Sequence, residues 1–518
     1  MTHPIPPEVV DRLRKRIFCA NPDDDGIPVH IPYTGELLHK LPSCTAEDVR
    51  QAVSRARQAQ RLWAARPLEQ RAGVLKRYHA LLMEHREELH DIIQLETGKS
   101  RMSAAEEVLD VAIVARHYGF HGPNLLRPKR RRGVFPVITS AEVRHHPRGV
   151  VGLIAPWNYP FTLPLGDTLP ALLAGNAVVM KPACETSLTA LMGAELLEKA
   201  GLPPDLLVIV TGRGTALGPA MIEEVDFVQF SGSTATGKQI AEQCAKRLIG
   251  CSLELGGKNP AIVFADAPFQ RAVSGVLKGV FGSTGQLCIH IERIYVQDAI
   301  YERFVSEMIL QTRRMKMGSA FDFSTQIGSL SSSAQLEKVS FHVEDAVAKG
   351  ARVLVGGKAR PDLGPFFYEP TLLEGVTEGM HVAREETFGP VASVYKFRTT
   401  EEVLEAANDS EYGLNASVWT KNTSRGRGVA GWLQCGTVNV NESYATTWGS
   451  TDAPMGGFKQ SGIGRRHGDT GLLKYTEPQT IATQYLLNLS APKGVSEGTF
   501  AKVLYAAIRL LRQIPGLR

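Results

Sequence analysis

The chain has 518 residues, of which 43% are hydrophobic and 21% charged, and its formal net charge is +5. This composition is typical of a soluble enzyme, the length allows two to four domains of about 100–200 residues, and the small net charge gives no reason to expect a nucleic-acid partner. No apolar run approaches the roughly 20 residues that a membrane-spanning helix needs.

Apolar residues at helical spacing predict helices over residues 46–65 and 67–97. After them, short apolar runs alternate with helical stretches, which is typical of a doubly wound parallel sheet of the α/β class. The first series of apolar runs comprises residues 150–154, 177–180, 206–210 and 227–230, with helical stretches at 187–200 and 217–224. A second series comprises residues 261–264, 352–355 and 437–440. We therefore expect two α/β domains that join near residues 254–260.

Three exposed segments are expected outside these domains. Residues 134–143 and 479–485 look like solvent-facing strands. The basic run at 127–132 could be a nucleic-acid patch, but we favour a solvated loop because the run is isolated on a chain of low net charge. Residues 500–517 predict a basic amphipathic helix that is too short to cross a bilayer. This tail could contact a membrane surface, but packing on a neighbouring subunit or on its own chain is the commoner fate.

The cysteines indicate a reducing compartment. They are odd in number, scattered and without a Cys-x-x-Cys pair, which argues against a disulfide framework or a metal cluster. They are Cys19, Cys44, Cys184, Cys244, Cys251, Cys288 and Cys435. Charged residues interrupt the first 20 positions, so we expect no signal peptide. The sequence thus predicts a cytoplasmic protein that binds no metal.

Three short motifs carry the chemistry of this chain. Residues 285–288 (GQLC) place a cysteine after a Gly-Gln turn, residues 254–258 (ELGGK) place a carboxylate before a Gly-Gly step, and residues 155–160 (APWNYP) hold an asparagine between two prolines. A thiol nucleophile and a carboxylate base on two turns suit covalent acyl transfer. In order and spacing, the three motifs resemble those of the aldehyde dehydrogenase superfamily.

The resemblance implies a role for each catalytic residue. Cys288 would attack the aldehyde carbon to give a thiohemiacetal, because a cysteine thiolate is a strong nucleophile. Asn158 and the backbone N–H of Cys288 would donate hydrogen bonds to the oxyanion. After hydride transfer to a nicotinamide, Glu254 would activate the water that hydrolyses the thioester. Members that pass the acyl group to coenzyme A generally lack this glutamate, so the resemblance implies release of the free acid.

The resemblance also implies an aldehyde dehydrogenase-like fold, with a Rossmann-type cofactor domain, an α/β catalytic domain and a β oligomerisation arm. We expect the dinucleotide-binding domain at residues 1–128 and 148–256, the catalytic domain at 257–470, the arm at 129–147 and 474–487, and a C-terminal amphipathic tail at 488–518. Arms of this family pair strands across subunits. A homodimer or homotetramer is therefore expected.

Residues 230–238 combine a strand end, a Gly turn and a helix start, which would expose backbone N–H groups to a pyrophosphate. They lack the G-x-G-x-x-G fingerprint but match the superfamily's variant turn, in which Ser233 touches the phosphate. Residues 385–390 (EETFGP) match the motif for the nicotinamide ribose, with Glu386 accepting from the hydroxyls and Phe388 near the ring. The expected cofactor residues are Trp157, Lys181, Cys184, Gly232, Ser233, Gly237, Gly256, Glu386 and Phe388.

The cofactor preference is inferred from residues 181–184 (KPAC), where many relatives have Lys-Pro-x-Glu and the glutamate binds the adenosine ribose. A carboxylate at position 184 would repel a 2′-phosphate, whereas Cys184 would not, and Lys181 could pair with that phosphate. Glu185 could swing inward and restore the repulsion. On the charge argument we expect NADP, with NAD as the alternative.

Within the superfamily, residues 285–295, 366–370 and 464–468 most resemble bacterial NADP-dependent succinate-semialdehyde dehydrogenases, which favours succinate semialdehyde as the substrate. Better-known succinate-semialdehyde enzymes hold the substrate carboxylate with arginines at the positions of Gly166 and Gly282. A long-chain or aromatic aldehyde is therefore an alternative substrate. It would suit an apolar funnel formed by Phe161, Leu163, Leu165, Tyr444 and Trp448.

Two remote alternatives stay open. A non-catalytic member of the fold would be expected to lose Cys288, Glu254 or Asn158, and this chain keeps all three. A thiol hydrolase would need no ribose contact but usually has a histidine base, for which His290 is the candidate. Cofactor-dependent turnover would separate this activity from a dehydrogenase.

Overall fold

The structure is a computed structural model that describes residues 5–22, 26–134, 138–485 and 490–513. The remaining positions of the predicted domains, arm and tail lie outside the described residues. The helices are α1 (Pro7–Arg14), α2 (Ala46–Ala64), α3 (Leu68–Glu84), α4 (Arg86–Thr97), α5 (Arg101–Leu126), α6 (Thr162–Leu173), α7 (Ser187–Lys199), α8 (Gly214–Glu224), α9 (Thr234–Lys246), α10 (Phe269–Phe281), α11 (Tyr301–Arg313), α12 (Ser333–Ala348), α13 (His381–Arg384), α14 (Thr400–Asn408), α15 (Thr423–Ala430), α16 (Ala445–Gly449), α17 (Gly468–Leu473) and α18 (Glu497–Leu511).

The strands form two large sheets and several small ones. They are β1 (Ile27–His30), β2 (Leu37–Leu41), β3 (Lys129–Arg132), β4 (Thr139–Pro147), β5 (Val150–Ile154), β6 (Ala177–Lys181), β7 (Leu207–Ile209), β8 (Phe227–Ser231), β9 (Gly250–Glu254), β10 (Asn259–Val263), β11 (Ile291–Gln297), β12 (Arg352–Val355), β13 (Thr371–Glu374), β14 (Val391–Phe397), β15 (Tyr412–Gly413), β16 (Asn415–Trp419), β17 (Thr437–Val440), β18 (Phe458–Lys459), β19 (Gly462–Ile463) and β20 (Thr476–Gln484).

The first large sheet has the strand order β19-β9-β8-β5-β6-β7, and only its edge strand β19 is antiparallel to its neighbour. Every residue of β5, β6 and β8 is buried. Strands covered on both faces have continuous apolar sequences, which is why these runs were visible in the sequence. The predicted α/β class is confirmed.

The second large sheet has the order β12-β13-β14-β11-β10-β16-β17, with only β12 antiparallel to its neighbour. It contains all three apolar runs of the second predicted series. β9 of the first sheet ends at Glu254, and β10 of the second begins at Asn259. The connection between the two sheets therefore carries the ELGGK motif.

Two local predictions are corrected. The single helix expected at 67–97 is two helices, α3 and α4, because His85 leaves the helical conformation with φ −95° and ψ 17°. The basic run expected as a loop contains strand β3, which pairs with β4 in a three-stranded sheet of order β20-β4-β3. Charged side chains are common on an edge strand because they discourage further strand pairing.

The predicted amphipathic helix of the tail is present as α18. None of its residues is buried, and Val503, Tyr505, Ile508 and Leu510 are all exposed. One face of the described part of this helix is half-buried, at Phe500, Leu504 and Leu511. No helix in the described ranges has both the length and the apolar character needed to cross a bilayer.

Candidate active site

The candidate site lies at the carboxyl edge of the first large sheet. β6 and β7 extend this sheet on one side of β5, and β8 and β9 extend it on the other. The strand order thus reverses at β5, and such a switch point leaves a crevice where α/β proteins bind ligands. A cavity of about 210 Å³ lies there. Its wall contains all the predicted catalytic residues and most of the predicted cofactor residues: Cys288, Asn158, Glu254, Trp157, Gly232, Ser233, Gly256, Glu386 and Phe388.

Cys288 follows a turn with unusual backbone angles. Ser283 and Thr284 have φ values of 51° and 56°, and Gly285 has 70°. Residues other than glycine rarely adopt this conformation, and they keep it only where the surrounding structure enforces it. The main-chain oxygen of Cys288 accepts a 2.8 Å hydrogen bond from Asn259 Nδ2. The turn is therefore held in place just before the cysteine.

Burial raises the pKa values of Cys288 and Glu254, so both groups hold their protons more tightly than usual. Burial, with help from Glu254 and Glu386, raises the pKa of the Cys288 thiol to about 12. Burial also raises the pKa of Glu254 to about 7, although Arg466 and Lys474 act in the opposite direction. Glu254 Oε1 is buried and has no hydrogen-bond partner among the described residues. A carboxyl group with a pKa near 7 can serve as a base at neutral pH.

Asn158 is fixed against the cysteine turn. Its side-chain Nδ2 donates a 3.0 Å hydrogen bond to the main-chain oxygen of Gln286. Its own main-chain oxygen accepts a 2.7 Å hydrogen bond from Lys99 Nζ, which also donates to Glu107 at 2.6 Å. A buried ion pair therefore supports the turn that carries the amide.

The Gly turn after β8 leads into a capped helix. Ser233 is the N-cap of α9, and its Oγ accepts a hydrogen bond of 3.3 Å from Thr236 N. The first N–H groups of a helix have no partner within the helix, which makes this end suited to an anion. Gly237 lies inside α9 and does not border the cavity. A Cβ on Gly237 would lie 2.5 Å from the Leu255 side chain, so this glycine lets α9 pack on the ELGGK segment.

The EETFGP and ELGGK motifs meet across the cavity. Glu386 Oε1 accepts a 2.8 Å hydrogen bond from Gly257 N. A Cβ on Gly256 would lie 2.7 Å from Glu386 Oε2, so a side chain at position 256 would push the Glu386 carboxylate from this position. The ring of Phe388 packs edge-on against Trp157, with centroids 5.6 Å apart.

Glu292 positions the Glu386 loop, and no motif predicted this role. Its carboxylate accepts from Thr387 N at 2.9 Å and Phe388 N at 3.0 Å, forms an ion pair with Lys258, and lies 3.0 Å from Nε2 of His290. Burial opposes ionisation, but Lys258 and His290 hold the pKa of Glu292 well below its usual value. A glutamate inside the apolar strand β11 was the available signal, because buried charges are almost always paired.

Gln335 and Lys338 of α12 also border the cavity, and neither was predicted. Gln335 Nε2 donates to the main-chain oxygens of Phe388 at 2.7 Å and Thr387 at 3.1 Å. The sequence offered only the helical pattern of α12, which does not indicate which polar residues face a site.

Lys181 and Cys184 do not border the cavity but lie beside the same sheet edge. Lys181 ends β6, where it pairs with Ile154 of β5. Its Nζ donates to the main-chain oxygen of Pro182 at 3.0 Å, and it forms no ion pair within the described ranges. Cys184 Sγ donates to the main-chain oxygen of Gly212 at 3.2 Å.

Cys288 packs against a cluster that contains three aromatic side chains. Tyr159 packs on Trp448 with centroids 5.6 Å apart, and Tyr444 packs on Trp448 at 6.0 Å. Leu163 and Cys288 pack against this group. The expected apolar surface near the sulfur is therefore present.

Two members of the predicted apolar funnel lie elsewhere. Phe161 and Leu165 are fully buried and face Gly193 of α7, where a Cβ would lie within 3.0 Å of each side chain. The helical turn of α6 directs them into the core rather than toward the site. A second cavity, of about 600 Å³, borders Tyr444 and Gly282, with Met102, Phe281 and Met315 among its apolar walls.

One ring nitrogen of His290 is occupied by another contact, and so is the guanidinium of Arg293. The Nδ1 atom of His290 lies 2.5 Å from the main-chain oxygen of Leu287, and its Nε2 atom lies 3.0 Å from Glu292. Arg293 donates to the main-chain oxygens of Lys258 and Ala407, at 2.9 Å each. These contacts give no support to His290 as a base for Cys288.

Comparisons with known proteins agree with this geometry. Residues 19–481 match the family described as "Aldehyde dehydrogenase family". A Mycolicibacterium smegmatis relative named "Putative succinate-semialdehyde dehydrogenase", with NADP(+) in its name, is 49% identical, with 98% of this chain and 99% of the relative covered. An aldehyde dehydrogenase structure from Brucella melitensis biovar abortus 2308 is 35% identical with a TM-score of 0.86, covering 91% and 96% of the two chains. A Staphylococcus aureus betaine aldehyde dehydrogenase in complex with NAD+ is 33% identical with a TM-score of 0.86, covering 93% and 98%.

Proposed function

This chain belongs to the aldehyde dehydrogenase family, and we propose that it oxidises succinate semialdehyde to succinate with NADP, and less readily with NAD. One observation carries the proposal: Cys288, Asn158 and Glu254 border one cavity with the Ser233 turn and the Glu386 loop. The proposed nucleophile, oxyanion donor and base thus border the crevice that we propose for the nucleotide. Oxidation through a covalent acyl intermediate requires these groups together.

The residues of the crevice fit a dinucleotide cofactor. Ser233 caps the N-terminus of α9, whose N–H groups suit a pyrophosphate. Glu386 binds Gly257 through one carboxylate oxygen, which leaves the other for the ribose hydroxyls. Lys181 lacks a carboxylate partner among the described residues and would pair with a 2′-phosphate. When bound, NADP supplies the acceptor for the hydride.

Cys288 is the proposed nucleophile. Its sulfur would bond to the aldehyde carbon, and the carbonyl electrons would move to the oxygen, giving a thiohemiacetal. The thiol has a pKa of about 12 in this structure, so its proton must be removed during attack. That proton would pass to solvent water, which leaves Glu254 free as the base for the later hydrolysis.

Asn158 is the proposed oxyanion donor. Its side-chain amide has two N–H groups, and one already donates to the main-chain oxygen of Gln286. The other is available for the oxygen of the thiohemiacetal, together with the main-chain N–H of Cys288. Loss of one such donor typically costs about 10²–10³ in kcat.

Glu254 is the proposed base for hydrolysis. After hydride transfer the acyl group is a thioester on Cys288, and water must attack its carbonyl carbon. Glu254 would take a proton from that water, the C–S bond would break, and the thiol would be restored as the acid leaves. The free Oε1 of Glu254 supports this role, and so does its position at the end of β9 beside the cavity.

The names of relatives support succinate semialdehyde as the substrate. A hydrophobic aldehyde is a second candidate, favoured by the apolar ring packing of Tyr159, Tyr444 and Trp448 beside Cys288. Initial rates of NADPH formation with succinate semialdehyde, butanal, decanal and benzaldehyde separate the two. We expect kcat/KM for the semialdehyde to be highest; a higher value for decanal or benzaldehyde would support the second candidate.

We also propose a cytoplasmic homodimer or homotetramer. The three-stranded sheet supports assembly, because all residues of β20 after Thr476 are exposed in the single chain. Exposed strand edges are suited to pairing with another chain. Light scattering coupled to size-exclusion chromatography tests this assembly, and a single-chain mass in dilute solution would contradict it.

A further inference from the structure

The substrate that we propose carries a free carboxylate, and this chain has glycine at both positions where the better-known enzymes carry the anchoring arginines. A carboxylate removed from water needs a cationic partner. Three buried cations near Cys288 already have partners. Lys99 pairs with Glu107, Lys258 pairs with Glu292, and Arg293 donates to main-chain oxygens.

Arg466 lies among the catalytic segments. Its main chain bridges to Met455, which packs in the same apolar group as Cys288. The strand just before it pairs Gly462 with Glu254. Its Nη2 donates to the main-chain oxygen of Thr162 at 3.2 Å, at the start of the helix that follows Asn158. The segments of the nucleophile, the base and the oxyanion donor thus converge around one guanidinium group.

Most of the donors of Arg466 are unused. A guanidinium has five N–H donors, yet its only hydrogen bond within the described ranges is that from Nη2 to Thr162. Asp167 lies 3.1 Å from Nε, but the geometry is not that of a hydrogen bond, and Nε is a buried atom without a hydrogen-bond partner. Asp167 is also shared with Lys474, at 3.3 Å. Arg466 as a whole is only 4% exposed.

Gly166 explains how the guanidinium reaches this position. A Cβ at Gly166 would lie 2.9 Å from Arg466 Nη2, which is tighter than ordinary contact. The missing side chain at position 166 therefore leaves the space that Arg466 enters from another part of the chain.

We propose that Arg466 receives the free carboxylate of a semialdehyde substrate, using the guanidinium donors that the protein leaves unpaired. This inference rests on the proposed function. It narrows the substrate class to aldehydes with a carboxylate at the far end. Such a substrate would complete the hydrogen bonding of a buried cation that Asp167 alone does not complete.

The experiment compares kcat/KM for succinate semialdehyde with kcat/KM for butanal, which has the same chain length but no carboxylate. The ratio of the two values cancels any loss common to both substrates, such as slower deacylation. In Arg466→Met this ratio should fall at least about 30-fold, as expected when a buried charge partner is truncated. An unchanged ratio in a folded Arg466→Met enzyme would overturn the proposal.

Arg465 provides the matched control. It is the neighbouring arginine, and its Nη1 donates to the main-chain oxygens of Gly457 at 3.1 Å and Gly464 at 2.6 Å. Arg465→Met should change the ratio by no more than about threefold, as is usual away from a specific contact. An equal fall in both variants would mean that general disturbance, rather than carboxylate binding, explains the effect, and this would also overturn the proposal.

Two further results keep the test decisive. If Arg466→Met does not fold, Arg466→Lys takes its place, because lysine keeps the charge but loses the forked donors. The ratio should then fall about fivefold or more. An unchanged ratio in Arg466→Lys would contradict the proposed carboxylate contact. Wild-type enzyme that oxidises both aldehydes equally well would also contradict it, while leaving aldehyde oxidation intact. Failure to oxidise either aldehyde would instead refute the proposed function.

Discussion

Gly285 packs against the main-chain oxygen of Gly389, and a Cβ on Gly285 would lie 2.0 Å from that oxygen. Gly285 belongs to the turn before Cys288, and Gly389 follows the loop of Glu386. The segment of the proposed nucleophile and the segment of the proposed ribose contact are therefore in direct backbone contact. Their relative position depends on a residue without a side chain.

Replacing Gly285 with alanine should damage stability and activity together. Its φ of 70° disfavours other residues, and the contact with Gly389 leaves no space, so we expect a loss of about 2–4 kcal/mol in unfolding free energy. Urea unfolding measures this loss. Gly428→Ala is the control, because Gly428 lies inside helix α15 and a Cβ there meets nothing within 4 Å. The unfolding free energy of Gly428→Ala should not fall. Equal stability of the two variants would contradict the packing argument.

Replacing Glu254 with glutamine should separate the two halves of the reaction. The amide cannot take a proton from water, so acyl-enzyme should accumulate and steady-state kcat should fall by about 10²–10⁴. Stopped-flow absorbance at the NADPH band should still show hydride transfer in a first turnover of about one equivalent per site. Unimpaired steady turnover would exclude Glu254 as the base.

The pH dependence of kcat should report Glu254 when deacylation limits the rate. Burial raises the pKa of this carboxyl group to about 7, so the carboxylate form, which is the base, increases as pH rises through 7. Steady-state kcat should therefore rise with pH and level off above about pH 8. Glu254→Gln should lose this inflection in its residual rate. A profile in the wild-type enzyme that falls from pH 6 to 8 would contradict the assignment.

Replacing Cys184 with glutamate should shift cofactor preference from NADP toward NAD. A carboxylate beside Lys181 would neutralise the cation and repel a 2′-phosphate, so KM for NADP should rise about 10- to 100-fold. Cys184→Ser is the control, since it adds no charge and should keep the wild-type preference. Initial rates with both cofactors measure the effect, and an unchanged KM for NADP in the glutamate variant would place the phosphate elsewhere.

Much of this fold could be predicted because its central strands are buried on both faces. Continuous apolar runs marked β5, β6 and β8, and the turns after all three strands carried recognisable motifs. The GQLC, ELGGK and APWNYP motifs indicated Cys288, Glu254 and Asn158 for a chemical reason. The proposed chemistry requires particular residue types next to glycine or proline turns.

The remaining features depend on contacts that sequence spacing does not reveal. Glu292 supports the Glu386 loop through two main-chain N–H groups, and a lone glutamate in a strand does not indicate which loop it holds. Phe161 and Leu165 were expected near the substrate but face the core, because the rotation of α6 decides which side each residue takes. Arg466 meets Gly166 only through the packing of distant segments.

The proposed covalent role of Cys288 is to carry the acyl group that Glu254 releases. Its most direct test is intact-protein and peptide mass spectrometry of Glu254→Gln, quenched in acid soon after mixing with NADP and succinate semialdehyde. We expect a mass gain equal to a succinyl group, confined to the peptide that contains Cys288 and absent without NADP. No acyl adduct despite NADPH formation, or an adduct on another residue, would contradict it.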